Sequence, residues 1–169
     1  MSFNVAQFSQ AGLNALAELT AQKTLKIMAV YADMVEHQTS DLDESPSWWA
    51  SQTELTMDMI NADIFSISVA NGQARVVVNL SLKQTQSSTV NVKTIVVCAC
   101  TTEAGVDGNP IVLCGIMDPN GIDVVYNASH INVTTKVSLY FKFNNASSIT
   151  VQNAYAPDYA LHSELSRFV

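Results

Sequence analysis

Cationic side chains are scarce in this sequence: Lys+Arg number 8 against Asp+Glu 15 in 169 residues, a formal net charge of −7. A phosphate backbone would meet net repulsion, and no run of Lys and Arg supplies a local basic stripe, so nucleic acid is not expected as a partner. Three cysteines are too few for a disulfide framework. No apolar run approaches the length of a membrane span, and Met1-Ser2-Phe3-Asn4 offers neither a cationic start nor an apolar continuation. Neither membrane insertion nor a secretory signal is expected, and the chain is expected to be made soluble in a cytoplasm. A Gly-rich phosphate loop, a His-Glu-x-x-His helix, a Gly-x-Ser-x-Gly elbow and a paired Cys-x-x-Cys knuckle are all missing. His37, His130 and His162 are each solitary, which suits surface or satisfied histidines better than ligands. No catalytic residue, cofactor or metal site is expected, and the chain is not expected to be an enzyme.

What is present is alternation. From Asp63 to Lys83 two strands meet at Asn71-Gly72, with Phe65, Ile67 and Val69 on one face of the first and Ala74, Val76, Val78 and Leu80 on one face of the second. A two-residue type I′ turn at Asn71-Gly72 sets Val69 opposite Ala74, Ile67 opposite Val76 and Phe65 opposite Val78, gathering the apolar side chains on one side. Val90 to Cys100 is apolar on both faces and reads as a central strand, returning through Thr101–Asn109 to Ile111–Met117. Asp118-Pro119-Asn120-Gly121 carries a strong turn signal. Val137, Leu139, Phe141 and Phe143 alternate with polar residues, so Lys136–Phe143 is expected to form a hairpin with Ile149–Asn153. At 48% hydrophobic residues the chain supports one core and one domain, 1–169. The fold class expected is α+β, mainly β: an antiparallel sandwich-like core with an N-terminal helix and a short C-terminal helix.

The N-terminal helix is expected after Ser9 as N-cap, with Phe8 and Leu13 at the spacing of a hydrophobic staple and Leu13, Leu16, Ala17 and Leu19 recurring through Thr20. Gly12 within it costs about 1 kcal/mol of helix propensity, which points to close approach of another backbone. Leu25–Tyr31 reads as the first strand, with Leu25, Ile27 and Ala29 on one face. Residues 33–55 read as a long acidic loop ending in Trp48-Trp49, which either anchor it or offer an aromatic contact surface. Asp41, Asp43 and Glu44 space like cation ligands but lack the Gly and distal Glu of a calcium loop, so a solvated acidic loop is the reading. Pro157 suits the first turn of a helix running to Val169, within a connecting segment 156–169 that includes Tyr159, Leu161, Leu165 and Phe168. Cys98 and Cys100 share a strand face, and folding the hairpin about Val106 sets Cys98 opposite Cys114, near enough for a disulfide or part of a metal site. Buried thiols are the stronger reading. Four Asn-x-Ser/Thr sequons, at Asn79, Asn127, Asn132 and Asn145, read as chance in an Asn-rich chain without an export signal.

Phe8 to Ala17 followed by Lys23-Thr24-Leu25-Lys26-Ile27 resembles the entry of phage tail-collar and tail-fibre N-terminal domains: turn, Gly, helix, extended strand. Thr94–Cys100 with Asp107–Leu113 resembles their central hairpin, Leu139–Val151 their closing hairpin, and Ala160–Phe168 the helix leading to the next module. The long acidic loop departs from that pattern. The resemblance implies a virion structural protein of a tailed bacteriophage, an adaptor or connector at the tail tip, baseplate or fibre base. It implies other tail proteins as partners, a homo-oligomer (trimer or hexamer by analogy), location in the virion tail, and no catalytic residues. Phe8, Leu13, Trp48, Trp49, Tyr159, Leu165 and Phe168 are the candidate interaction residues, because interfaces favour aromatic anchors in weakly charged surroundings. The competing reading is a carbohydrate- or receptor-binding module in which Trp48 and Trp49 stack on sugar rings.

Overall fold

The computed structural model describes residues 6–70, 72–129, 134–142 and 151–153. In chain order these form β1 (Gln7–Phe8), α1 (Gln10–Ala17), β2 (Lys23–Asp33), a 3₁₀ turn (Thr39–Asp43), α2 (Pro46–Gln52), α3 (Glu54–Met57), β3 (Ile60–Ala70), β4 (Gln73–Leu82), β5 (Val90–Glu103), β6 (Val106–Asp107), β7 (Ile111–Val124), β8 (Thr134–Lys142) and β9 (Val151–Asn153). The fold is mainly β, as the alternation predicts. One sheet has three strands in the order β3-β4-β8; the other has six, β1-β7-β5-β2-β9 with β6 on β5. Their inner faces share one core that includes Leu25 and Ile27 from β2, Val76 and Val78 from β4, Ile95 and Val97 from β5, and Leu139 and Phe141 from β8. The segment at Ala6 ties the sheets together at one edge: its N–H bonds Tyr140 O of β8 at 3.1 Å just before Gln7 and Phe8 join β7.

The β3–β4 hairpin keeps its expected phase near the turn, with Val69 paired to Ala74 and Ile67 to Val76. Farther out the pairing shifts: Ile64, and not Phe65, stands opposite Val78. Phe65 is the extra residue of a bulge and lies 38% exposed, because one inserted residue reverses which face the strand presents. Asn71 lies outside the described residues, while Gly72 has φ 74. A second bulge in β2, between Ile27 and Ala29, does the same there. Val30 and Ala32 thereby replace Ala29 and Tyr31 on the core side, so the expected face of Leu25, Ile27 and Ala29 holds only for its first two members.

Two other expectations are corrected. Asp118–Gly121 does not reverse the chain: Met117 pairs with Thr94 and Ile122 with Val92, so all four residues stand against Lys93 alone as a protrusion within β7. The turn chemistry is used all the same, with Asn120 N–H on Asp118 Oδ1 at 2.9 Å and Gly121 at φ 67. Among the described residues the closing hairpin is not formed either. β8 pairs antiparallel with β4, its Val137, Leu139 and Phe141 completing the inner face, while β9 pairs parallel with β2 in the other sheet. A parallel partner cannot be reached by a tight turn, so the strands that alternation joined belong to different layers. The remainder of the predicted hairpin, Phe143–Thr150, and the predicted C-terminal helix with Tyr159, Leu165 and Phe168 lie outside the described residues.

The helix α1 is placed by Gly12. Ser9 caps it as expected, accepting Gly12 N–H at 2.8 Å, and Ser9 N–H bonds Leu113 O at 3.2 Å. Leu113 is the extra residue where β7 slips against β5, and a Cβ on Gly12 would lie 2.1 Å from its carbonyl oxygen. The buried stripe is therefore Gly12, Ala15 and Leu19, with Leu13 turned outward at 48% exposure. Phe8 packs edge-on against Phe141, ring centroids 5.7 Å apart, rather than stapling to an inward Leu13. Replacing Gly12 by Ala gains about 1 kcal/mol of helix propensity but forces the backbones apart, and overpacking of this kind costs about 1–3 kcal/mol. Gly12→Ala is expected to lower the urea unfolding midpoint with the m value unchanged.

Candidate functional site

Residues 33–55, expected as a long loop, fold into a helical layer on the outer face of the six-stranded sheet. Local signals build it. Ser45 accepts Trp48 N–H at 3.2 Å and Pro46 occupies the first turn, the arrangement that starts α2. Thr53 ends α2 on Trp49 O, with its hydroxyl at 2.8 Å, and its own carbonyl accepts Met57 N–H at 2.8 Å, so α3 follows directly. Serine, threonine and proline, which suggest a loop when read as composition, act here as helix punctuation.

The two tryptophans have different fates. Trp49 is 0% exposed and packs with Leu42 onto Val96, Cys98 and Val112, with its indole N–H on Asp41 O at 3.0 Å. Trp48 is half-buried beside it, ring centroids 5.1 Å apart and nearly perpendicular. Of the two alternatives the sequence leaves open, anchoring is the one the geometry shows for Trp49: it has no exposed face for a sugar or a partner. Among the other candidate interaction residues, Phe8 packs against the inter-sheet core, apart from the cluster that holds Trp48, and Leu13 is exposed.

His37 is the polar centre of the layer. Its Nε2 lies 2.6 Å from Asp33 Oδ2 and its Nδ1 3.4 Å from Asp41 Oδ2, while its ring lies 4.6 Å from Trp49 and 5.9 Å from Trp48. Asp33, at the buried end of β2, also accepts the Thr56 hydroxyl at 2.9 Å, and Thr56 in turn accepts Met34 N–H at 3.1 Å. Thr94 donates to Val35 O at 2.7 Å and accepts His37 N–H at 3.0 Å. Both ring nitrogens face carboxylates, and the network fastens the layer to β2, β5 and α3. The sequence shows His37 as solitary because Thr94, which accepts its backbone N–H, and Thr56, which holds Asp33, are brought near only by the fold. Spacing offered one signal, Asp33-His37-Asp41, at four-residue intervals.

Glu44 is exposed, as a solvated acidic segment would have it, whereas Asp41 and Asp43 also accept hydrogen bonds. Asp41 accepts Gln38 N–H at 3.2 Å, and Asp43 Oδ1 accepts Gln10 N–H at 2.8 Å, capping α1 across the sheet edge. Among the described residues no group of three or more His, Cys, Asp or Glu is placed to hold a metal ion. The other two histidines lie outside the described residues. Between α1, the 3₁₀ turn and the start of β7 an open groove of about 340 Å³ is lined by Ala11, Leu42, Pro46 and Ile111 together with Asp43 and Glu44.

Charge is segregated. Residues 33–58 hold seven of the acidic residues and no Lys or Arg, so this stretch equals the formal net charge of −7 and the rest of the chain sums to zero. Glu36, Asp43, Glu44, Glu54 and Asp58 are exposed on it. On the opposite side of the sandwich, the outer face of the three-stranded sheet carries Arg75 and Lys136. Arg75 lies 5.8 Å from the Tyr140 ring and bonds Ser138 Oγ at 3.1 and 3.2 Å, and Lys136 Nζ lies 4.5 Å from the Phe65 ring. Sequence reasoning did not single out Arg75, Lys136 or Tyr140, which the alternation marks only as the solvent face, and it placed Phe65 on the core-facing side from which the bulge removes it.

The cysteines are free, buried thiols. Cys98 is paired with Val112 and Cys114 with Val97, so the expected Cys98–Cys114 opposition does not occur; Cys98 packs under Trp49 while Cys114 joins the inter-sheet core. The slip that Leu113 introduces separates them. Burial pushes the Cys98 thiol from 9.0 up to about 12 and raises Cys114 as well, with Cys98 adding to the latter. No family model, curated protein or solved structure matches the chain. No helix among the described residues is long and apolar enough to cross a membrane.

Trp49→Ala is expected to cost about 3–5 kcal/mol, read by denaturant unfolding, and Trp48→Ala distinctly less. Cys98 and Cys114 are expected to resist iodoacetamide in the native chain at about pH 8 and to react once it is unfolded. Because the folded thiols hold their protons more tightly, stability is expected to be fully present below the ordinary thiol value of 9.0 and to fall as pH rises toward about 12.

Proposed function

We propose that this chain is a virion structural protein of a tailed bacteriophage, an adaptor or connector at the tail tip, baseplate or fibre base that acts through protein contacts. The observation that carries this reading is the segregation of charge: an acidic helical layer fixed to one side of an otherwise neutral sandwich. Its buried polar groups are spent on holding the layer in place, which leaves shape and surface charge as what it presents. The sequence resemblance of the entry helix and of the segments forming β5 and β7 to phage tail-collar and tail-fibre N-terminal domains supports the reading; the closing hairpin that the resemblance implies is not made by β8 and β9. The carbohydrate-binding alternative is weakened, because Trp49 is fully enclosed and a stacking platform of two indoles is not available.

An antibody raised against the chain is expected to label the tail end of purified virions in electron micrographs, with the chain present in their protein content. Labelling of heads, absence from virions, or turnover of a small molecule by the purified chain would overturn the reading.

A further inference from the structure

We propose that copies of this chain associate head to tail, the acidic helical layer of one receiving the Arg75–Tyr140 and Lys136–Phe65 face of the three-stranded sheet of the next. The idea deepens the reading above and rests on it only for the protein's setting, not for the contact itself. The layers fix the geometry. The three-stranded sheet and the six-stranded sheet enclose the common core, and α2 and the 3₁₀ turn cover the far side of the six-stranded sheet through Leu42 and Trp49. Acidic layer and cationic face are therefore on opposite sides of one molecule, and one copy cannot bring its own two surfaces together. A second copy can.

Each surface has the composition of an interface half. The face sets Arg75 and Lys136 beside aromatic rings, at 5.8 and 4.5 Å from the ring centres, so less side-chain freedom remains to be lost on contact; exposed Asp63 shares the face, which stays net cationic, and Arg and Tyr are the residue types that anchor interfaces. Lys23 and Lys26, by contrast, are engaged within the chain, with Glu18 at 2.7 Å and Asp107 at 3.0 Å. The acidic side offers a groove with apolar lining and acidic Asp43 and Glu44, and elsewhere in residues 33–58 Val35, at 57%, and Leu55, at 68%, are exposed. Opposite potentials steer such surfaces together and fix their orientation. A head-to-tail contact repeats: it closes into a ring where the rotation per copy allows, and otherwise extends.

The test is a pair of charge reversals in the full chain, Glu36→Lys/Glu44→Lys on the layer and Arg75→Glu/Lys136→Glu on the sheet, followed by sedimentation velocity. The wild-type chain is expected to associate at about 50 mM salt and to dissociate as salt rises. Each reversal alone is expected to weaken association by about tenfold or more. Mixed together, the two variants are expected to associate pairwise, because the unaltered layer of the sheet variant then meets the unaltered sheet face of the layer variant. A monomeric wild-type chain, association indifferent to both reversals, or a mixture that stays monomeric would overturn the proposal. If a reversal unfolds the chain, Arg75→Gln/Lys136→Gln decides the same question through the salt dependence. Detection in virion tails would leave the functional reading standing even if self-association failed.

Discussion

Ile95 to Cys100 of β5 are buried without a break, and a strand with no solvent face must be covered on both sides. On one side β4 and β8 supply the cover through Val76, Val78 and Leu139. On the other, Val96 and Cys98 would meet water were it not for Leu42 and Trp49. The helical layer is therefore a consequence of β5 as much as an addition to the sandwich. Enclosing one indole among aliphatic side chains removes about 150–250 Å² of apolar surface from water, which at about 25 cal/mol per Å² is of the order of 4–6 kcal/mol. That gain is what keeps an acidic stretch, whose charges repel one another, folded against the protein.

The polar network answers the cost that this cover introduces. Crossing from β2 to α2 buries Asp33 and turns Thr94 away from water, and a buried polar group without a partner is costly. Asp33, His37, Thr56 and Thr94 satisfy one another and the backbone at Met34, Val35 and His37. The result is a layer held by packing at one end and by hydrogen bonds at the other, with its carboxylates sorted by task. Asp33 and Asp41 face inward to His37, Asp43 caps α1, and Glu36, Glu44, Glu54 and Asp58 remain at the surface to define its potential.

Bulges govern the rest. At Phe65, Met28 and Leu113 a single extra residue changes which side chains face the core, and each change has a consequence away from the strand itself. The first sends Phe65 out to meet Lys136, the second turns Ala29 and Tyr31 toward the tryptophan layer, and the third presents the Leu113 carbonyl to Ser9 and Gly12 while separating Cys98 from Cys114. The larger protrusion Asp118–Gly121 shows turn residues working inside a strand, where the neighbouring β5 continues the ladder on both sides of it.

The amino-acid sequence by itself determined the two-faced burial of β5, the alternation of β4, the N-cap at Ser9 and the need for a backbone against Gly12, because each of these is written in residues adjacent along the chain. Tertiary structure alone decided that β8 and β9 belong to different sheets, that the acidic stretch is a helical layer, that His37 has Asp33 and Asp41 at its two nitrogens, and that the chain's negative and positive surfaces lie on opposite sides. The reason is the range of the forces involved. Periodicity and capping act over a few residues, whereas strand partners, bulge positions and the cover over Val96 are chosen by which distant surfaces lose most contact with water together.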